Sequence, residues 1–270
     1  MSLLIVGELI NTSRKPIKEA VATRDAETIK KIARDQVQAG AHYIDINCGN
    51  FVTEEEQIME WLVNIVQEVI EDTPLCIDSP NPKALEVGLK LHKKSIKPMI
   101  NSITAEKERF SRVLPLVLEY NAKVIALLMD DSGIPDTAEK RIAIVDKLLP
   151  QLLDNGVPAQ DIYFDPLVKP ISVSNQAGQE VLQTIQYIKD NYPDVHTICG
   201  LSNISYGLPN RRLLNQTFTV LTMGRGMDSY ILDPTDKQMM SLIYASQALL
   251  GLDQFMMNYL KAYRKGIFGK

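Results

Sequence analysis

Eight polar side chains recur along the chain at wide intervals: Glu8, Asn47, Asp78, Asn101, Asp130, Asp165, Asn203 and Asp233, separated by 23 to 39 positions. Each ends a short apolar, β-rich run. Ionised carboxylates only accept hydrogen bonds, whereas an asparagine amide both donates and accepts. Such a set suits a flat polar ligand with amino and N–H donors along one edge. A pterin has that edge, since its 2-amino group and neighbouring ring N–H resemble a guanidinium and pair bidentately with a carboxylate. Nucleophilic chemistry is poorly served. His42, His92 and His196 lie far apart, and none falls at the carboxyl end of a run. The stretch GLSNI (200–204) starts like a nucleophile elbow but has Ile204 where the last glycine belongs, so Ser202 is not read as a nucleophile. GRGMDS (224–229) lacks the third glycine of a dinucleotide fingerprint, and no GxxxxGK[ST] loop occurs.

The runs that must position these residues are 3–8, 43–47, 75–79, 98–102, 124–130, 162–166, 197–203 and 229–233. Each gap between successive polar ends has room for a strand and a helix. Parallel strands buried on both faces read as near-continuous apolar runs and need crossovers of a dozen or more residues. Thr53 with Glu56 reads as a capping box opening a helix through Met59, Leu62, Val63, Val66 and Ile70. Asn81-Pro82 supplies a cap and an N1 proline. Gly40 and Gly156 stop helices over 26–39 and 138–155. No linker or composition break divides residues 1–270. The expected fold is therefore a single-domain α/β protein, a (β/α)8 TIM barrel, with an open doubly wound sheet as the alternative. In a barrel the carboxyl ends of all strands meet at one rim, where active sites are built. Any one of the polar ends serves equally as a helix cap. Eight together describe a polar pocket.

Bulk properties narrow the field. A net charge of −4 leaves no electrostatic footprint for nucleic acid. The basic runs at 92–97 and 261–270 are short and read as solvated faces. No apolar run approaches the ~18 residues of a membrane span, and MSLLIVGE lacks the basic start of a signal peptide. Cys48, Cys76 and Cys199 form no CxxC pattern, which suits a reducing cytoplasm and argues against disulfides or a metal site.

The segments GELIN (7–11), DINCG (45–49), IDS (77–79), INSI (100–103), DDSGIP (130–135), DPL (165–167) and GLSNIS with NRRLLNQTF (200–218) resemble the methyltetrahydrofolate–corrinoid protein methyltransferases. That family includes the folate domain of cobalamin-dependent methionine synthase. The resemblance implies a pterin-binding barrel, usually a homodimer, that moves a methyl group between the N5 nitrogen of tetrahydrofolate and a corrinoid cobalt. It implies Asp78, Asn101 and Asp165 as holders of the pterin's amino-pyrimidine edge. It further implies Gly200 and Ser202 as small residues admitting the ring, Asn203 at the methyl-bearing nitrogen, and Arg211 near the same loop. Glu8, Asn11, Asp45, Asn47, Asp130 and Asp233 are expected as further rim contacts. Tetrahydrofolate or methyltetrahydrofolate is then the substrate. The chain has no D-x-H-x-x-G motif for cobalamin, so the corrinoid is expected on a separate partner protein. Alternatives are a dihydropteroate synthase-like enzyme or a non-catalytic folate-binding protein. Against the first, NCGNF, LVKPI and LSNIS stand where that enzyme has GGEST-, GFGK- and SRK-type loops.

Overall fold

The computed structural model describes residues 3–93, 95 and 97–268; positions 94 and 96 of the first basic run and 269–270 of the second lie outside it. The elements alternate as β1 (Leu4–Asn11), α1 (Lys15–Ala22), α2 (Ala26–Gln38), β2 (Tyr43–Asn47), α3 (Glu55–Gln67), β3 (Leu75–Asp78), α4 (Pro82–Leu91) and β4 (Met99–Thr104). They continue as α5 (Lys107–Glu119), β5 (Lys123–Leu127), α6 (Ala138–Asp154), β6 (Ile162–Asp165), α7 (Ala177–Asn191), β7 (His196–Gly200), α8 (Arg211–Gly224), β8 (Ser229–Leu232), α9 (Lys237–Leu249) and α10 (Met257–Arg264). All eight strands are parallel and close on themselves in sequence order, which is a TIM barrel.

Strand side chains alternate between two apolar environments. Ile44, Ile46, Ile77, Ile100 and Phe164 point outward and pack with the surrounding helices, Ile58, Leu62, Val66 and Leu148 among them. Val6, Tyr43, Cys76, Met99, Ile125, Tyr163 and Ile198 fill the inside. At the amino end the interior is closed by polar pairs. His196 stacks on Tyr163, the Lys123 ammonium donates to the Tyr163 hydroxyl at 2.8 Å, and His196 meets Asp228 at 2.9 Å.

Several boundaries differ from the sequence expectation. Strand β1 runs on to Asn11, so Glu8 lies within it rather than at its end. Strand β5 stops at Leu127, leaving Asp130 in the following loop. His196 is the first residue of β7 rather than a residue before it, and Leu201–Ser205 is a 3-10 turn. The Thr53–Glu56 capping box does not form. Helix α3 begins at Glu55 with Glu54 at the cap and no side-chain cap bond. Lys97 is not part of a solvated face, because it pairs with the buried Asp161 carboxylate. Asn81 does cap α4, accepting from Lys83 N–H at 3.0 Å. Gly40 and Gly156 end their helices with φ of +105° and +91°, the left-handed region glycine enters freely.

Candidate active site at the carboxyl-end rim

Period-two alternation carries the inner face upward from the apolar layer. Two residues beyond Val6 is Glu8, beyond Tyr43 come Asp45 and Asn47, and beyond Cys76 is Asp78. Met99 leads to Asn101, Tyr163 to Asp165, Ile198 to Gly200 and Ile231 to Asp233. Seven strands thus bring a polar group or a glycine to the upper interior. The eighth, β5, brings Leu127 instead. Asp130 is a turn residue: its carboxylate accepts from Ser132 N–H at 2.9 Å and Ser132 Oγ at 2.6 Å, which holds it below the usual carboxylate range.

Register aligns four of these side chains in one row. Asn11 pairs with Asn47, Asn47 with Asp78, and Asp78 with Asn101. Glu8 and Asn11 have opposite parity and would face opposite sides of a regular strand. A register shift between Gly7 and Ile10 turns both inward. Gln36 of α2 sustains it. Its fully buried side chain accepts the Leu9 N–H at 2.9 Å, and it reaches there because Gly7 has no Cβ, which would lie 2.5 Å from Gln36 Oε1.

The carboxylates are held in defined states. Asn47 Nδ2 donates to Asp78 Oδ2 at 2.8 Å, while Asn47 Oδ1 accepts from Gly49 N–H at 3.1 Å. Burial pushes the Asp78 carboxyl up to about 6, opposed by the Asn47 bond and the Arg109 guanidinium. Asp165 is 8% exposed, and burial pushes it up to about 7 although Leu167 N–H donates to its Oδ1 at 2.7 Å and the Arg141 cation lies near. Asp45 was expected as a rim contact. It lies one layer lower and is 2% exposed, so the layer above separates it from the rim surface. Burial first, then the Asp78 and Glu8 carboxylates, push it well above the usual range, against the pull of the neighbouring Cys76 and Asn101 side chains; its Oδ1 has no hydrogen-bond partner among the described residues. Glu8 is raised by burial and by Asp233, against the pull of Arg14, which bonds it at 2.5 Å.

At the opposite side of the rim, β7 ends in Gly200, and a Cβ built there would meet no atom within 4 Å. The 3-10 turn that follows carries Ser202 and the exposed Asn203. Arg211, the first residue of α8, fastens this turn. Its Nη2 donates to Ser202 O at 2.6 Å, its Nε to Ser205 Oγ at 3.1 Å, and its guanidinium lies over the Tyr206 ring. Glu8, Ser202, Arg211 and Asp233 line an open cavity of about 470 Å³ together with Arg14 and Asp236. The candidate set therefore spans the upper interior, from the β3, β4 and β6 carboxylates and amide to the β7–β8–β1 cavity.

Two supporting arginines were not singled out from sequence. Arg109 donates from Nε at 2.9 Å and from Nη2 at 2.6 Å to Ser102 O, and from Nη2 to Ser79 O at 2.8 Å, joining the loops behind Asp78 and Asn101. Arg141, 1% exposed, donates to Pro166 O at 2.6 Å beside Asp165. Their signal was present. Each lies on the apolar stripe of its helix, Arg109 four residues before Val113 and Arg141 four before Val145, where a cation is out of place unless it binds something.

The chain matches several known proteins. Residues 7–233 match the family described as pterin binding enzyme. The chain is 38% identical over 269 residues to a methylcorrinoid:tetrahydrofolate methyltransferase of Eubacterium limosum, covering 99% of this chain and 98% of that protein. It is 31% identical to a methionine synthase of Mycobacterium tuberculosis, matching 93% of this chain and 22% of that larger protein. The crystal structure of dihydropteroate synthase from Clostridium difficile in the presence of pteroic acid superposes with a TM-score of 0.72. It shares 19% identity and covers 92% of this chain and 97% of that one, a likeness of fold. The chain belongs to the pterin-binding enzymes, in the family of the methyltetrahydrofolate–corrinoid protein methyltransferases.

Proposed function

We propose that this protein moves a methyl group between the N5 nitrogen of a tetrahydrofolate and the cobalt of a corrinoid carried by a separate protein. The observation that carries the reading is the inner ring itself. The half-buried Asp78 and the buried Asp165 stand with the Asn101 amide and Gly200 on the inner face at the strands' carboxyl ends, in a chain 38% identical to a methylcorrinoid:tetrahydrofolate methyltransferase. Each of these carboxylates has one oxygen bonded within the chain, Asp78 Oδ2 and Asp165 Oδ1, and a pterin edge brings donors for the other. Asn47 and Arg109 fix Asp78, and Leu167 N–H fixes Asp165, so the acceptors are oriented before substrate arrives.

When bound, the corrinoid supplies the cobalt that accepts or delivers the methyl group. The chain's own residues handle the folate nitrogen, whose charge changes as the C–N bond forms or breaks. Asn203 sits on a turn that Arg211 fastens, and its amide turns donor or acceptor toward that nitrogen, acting as an electrostatic stabiliser. It has no titratable proton. Asp45 does, since its burial favours the protonated form, and it lies on β2 one layer below Asn47. The resemblance extends to a homodimeric assembly, and three free buried cysteines support a reducing, cytoplasmic setting. Among the described residues no helix is long and apolar enough to cross a membrane.

Calorimetric titration with tetrahydrofolate tests the binding half. Asp78→Ala and Asp165→Ala should each lose about 1.5–3 kcal/mol, the usual size for a hydrogen bond to a charged group. Unchanged affinity in both variants would remove the assignment.

A further inference from the structure

Two arginines stand one step behind the carboxylates at the carboxyl-end rim, and both are held in the same way. Arg141 of α6 lies on the buried face of its helix with Ala138, Val145 and Leu148. Its Nε donates to Pro166 O at 2.6 Å and its Nη2 approaches Leu167 O at 3.4 Å, the carbonyls of the two residues after Asp165. Its Nη1 is buried and has no partner among the described residues. Arg109 of α5 repeats the pattern at the other carboxylate. Its Nη2 donates to Ser79 O at 2.8 Å and its Nη1 to Pro80 O, the carbonyls of the two residues after Asp78. It also donates to Ser102 O, the carbonyl next after Asn101.

Among the described residues neither guanidinium bonds a carboxylate. Arg141 attracts Glu180, Asp136 and Asp165 through space, and Arg109 attracts Asp78 and Glu106. A cation kept from water without a contact partner costs several kcal/mol, and an apolar side chain of similar size is often the more stable choice. Packing alone therefore does not explain these arginines. A contact ion pair would occupy the carboxylate oxygens with the arginine's own donors. Gripping the next two carbonyls keeps the positive charge close, while Asp78 Oδ1 and Asp165 Oδ2 stay without a partner among the described residues. The grip also sets backbone geometry. Leu167 has a φ of +56°, in the left-handed region that leucine avoids, and its N–H is the group that orients Asp165. Arg141 holds the carbonyls on both sides of that N–H–bearing residue's α-carbon in place.

We propose that Arg109 and Arg141 are positioning residues of the folate site, each clamping the carbonyls beyond one carboxylate so that its free oxygen is aimed and stays ionised without competition from the clamp. The inference rests on the folate-binding reading above and adds the groups that prepare the two acceptors. Few charged or titratable groups surround them. Asp165 lies within electrostatic reach of Arg141 and of the Cys199 thiol. Asp78 lies within reach of Arg109, Glu55, Asp45 and the Cys48 and Cys76 thiols. Each set holds one cation, the clamping arginine. It alone opposes, by its charge, the protonation that burial favours.

Calorimetric titration of the full-length protein with tetrahydrofolate from about pH 5.5 to about pH 9, beside melting curves, reads the linkage between binding and protonation. Arg141→Met and Arg109→Met should each move the midpoint of the acid loss of affinity upward by about one pH unit, as the nearby opposite charge disappears. Arg141→Lys and Arg109→Lys keep the charge but lose the planar fork. Their midpoints should stay in place while affinity falls about 10-fold at every pH, the effect of a misaimed acceptor. An arginine that only packs would change the melting temperature and leave the midpoint where it was. An unmoved midpoint in either folded Met variant would therefore overturn the inference while wild-type binding, and the functional reading with it, stands. A wild type that binds no tetrahydrofolate would overturn both together. Should the Met variants fail to fold, the Lys pair decides. Lower affinity at an unmoved midpoint supports the clamp, and full wild-type affinity in both overturns it.

Discussion

Asp165→Asn should make the unliganded protein more stable and its folate binding worse, and the two effects share one cause. Burial lifts the Asp165 carboxyl from the ordinary 3.8 to about 7 in the folded chain. Because the folded value is the higher one, the native state binds the proton more tightly than the unfolded chain does. The destabilisation is therefore absent below about pH 4, grows through the interval, and is complete above about pH 7. At about 1.36 kcal/mol per pKa unit the full cost is on the order of 4 kcal/mol at pH 8. Roughly half of it is already present at pH 5.5. Asparagine removes the charge but keeps an oxygen for the Leu167 N–H. The variant's advantage should thus grow by about 2 kcal/mol between pH 5.5 and pH 8, roughly 4–8 °C in melting temperature for a chain of this size. Folate affinity should fall by about 1.5–3 kcal/mol as the charge-assisted bond is lost. In the wild type the same logic runs the other way. Affinity should weaken as pH drops through about 7 and then about 6, where Asp165 and Asp78 become protonated and stop accepting. Melting curves at both pH values and calorimetric titrations across the range measure all of this. A variant equally stabilised at both pH values, or destabilised at pH 8, would refute the reasoning.

Other substitutions probe separate parts of the site. Gly200→Leu should leave melting temperature nearly unchanged, since its Cβ meets open space, yet abolish folate binding by filling that space; retained binding would place the ring elsewhere. Asn203→Ala should cut turnover by roughly 10²–10³ in both directions with little change in folate affinity, as for other preorganised transition-state partners. A raised KM at normal kcat would make Asn203 a binding residue. Gly7→Ala should displace Gln36 from the Leu9 N–H and cost about 1–3 kcal/mol of stability, read by denaturant unfolding. If Gln36→Ala, which removes the same bond, cost nothing, the bulge would have another support.

Much of this is legible in the amino-acid sequence. Eight apolar runs with polar ends specify eight strands, because burial on both faces forces near-continuous apolar sequence and the crossovers need helices. Asp78, Asn101 and Asp165 could be placed on one rim because a barrel gathers its carboxyl ends there. What stayed hidden is what depends on neighbours in space. Parity alone sends Asn11 outward, and only a bulge propped by Gln36 from another element brings it in. Asp45 sits two residues before Asn47 in an apolar run, and sequence does not tell a lower layer from the rim. Asp130 follows an apolar run too, but its carboxylate closes a local turn with Ser132. The Thr53–Glu56 pattern matches a capping box, yet the chain starts α3 later, where Glu55 is buried and bonds Ser79 Oγ at 2.5 Å. Tertiary contacts outweighed a local signal there.

The central claim is methyl transfer between folate and corrinoid cobalt, and the cobalt spectrum reports it directly. Purified protein mixed anaerobically with methyltetrahydrofolate and free reduced cobalamin should convert the reduced spectrum to the methylated one at a rate proportional to enzyme. Tetrahydrofolate with methylcobalamin should run the reverse, and Asn203→Ala should slow both alike. Tight folate binding with no protein-dependent change at cobalt in either direction, with free cobalamin and with corrinoid protein alike, would contradict the account and leave a folate-binding protein without this chemistry.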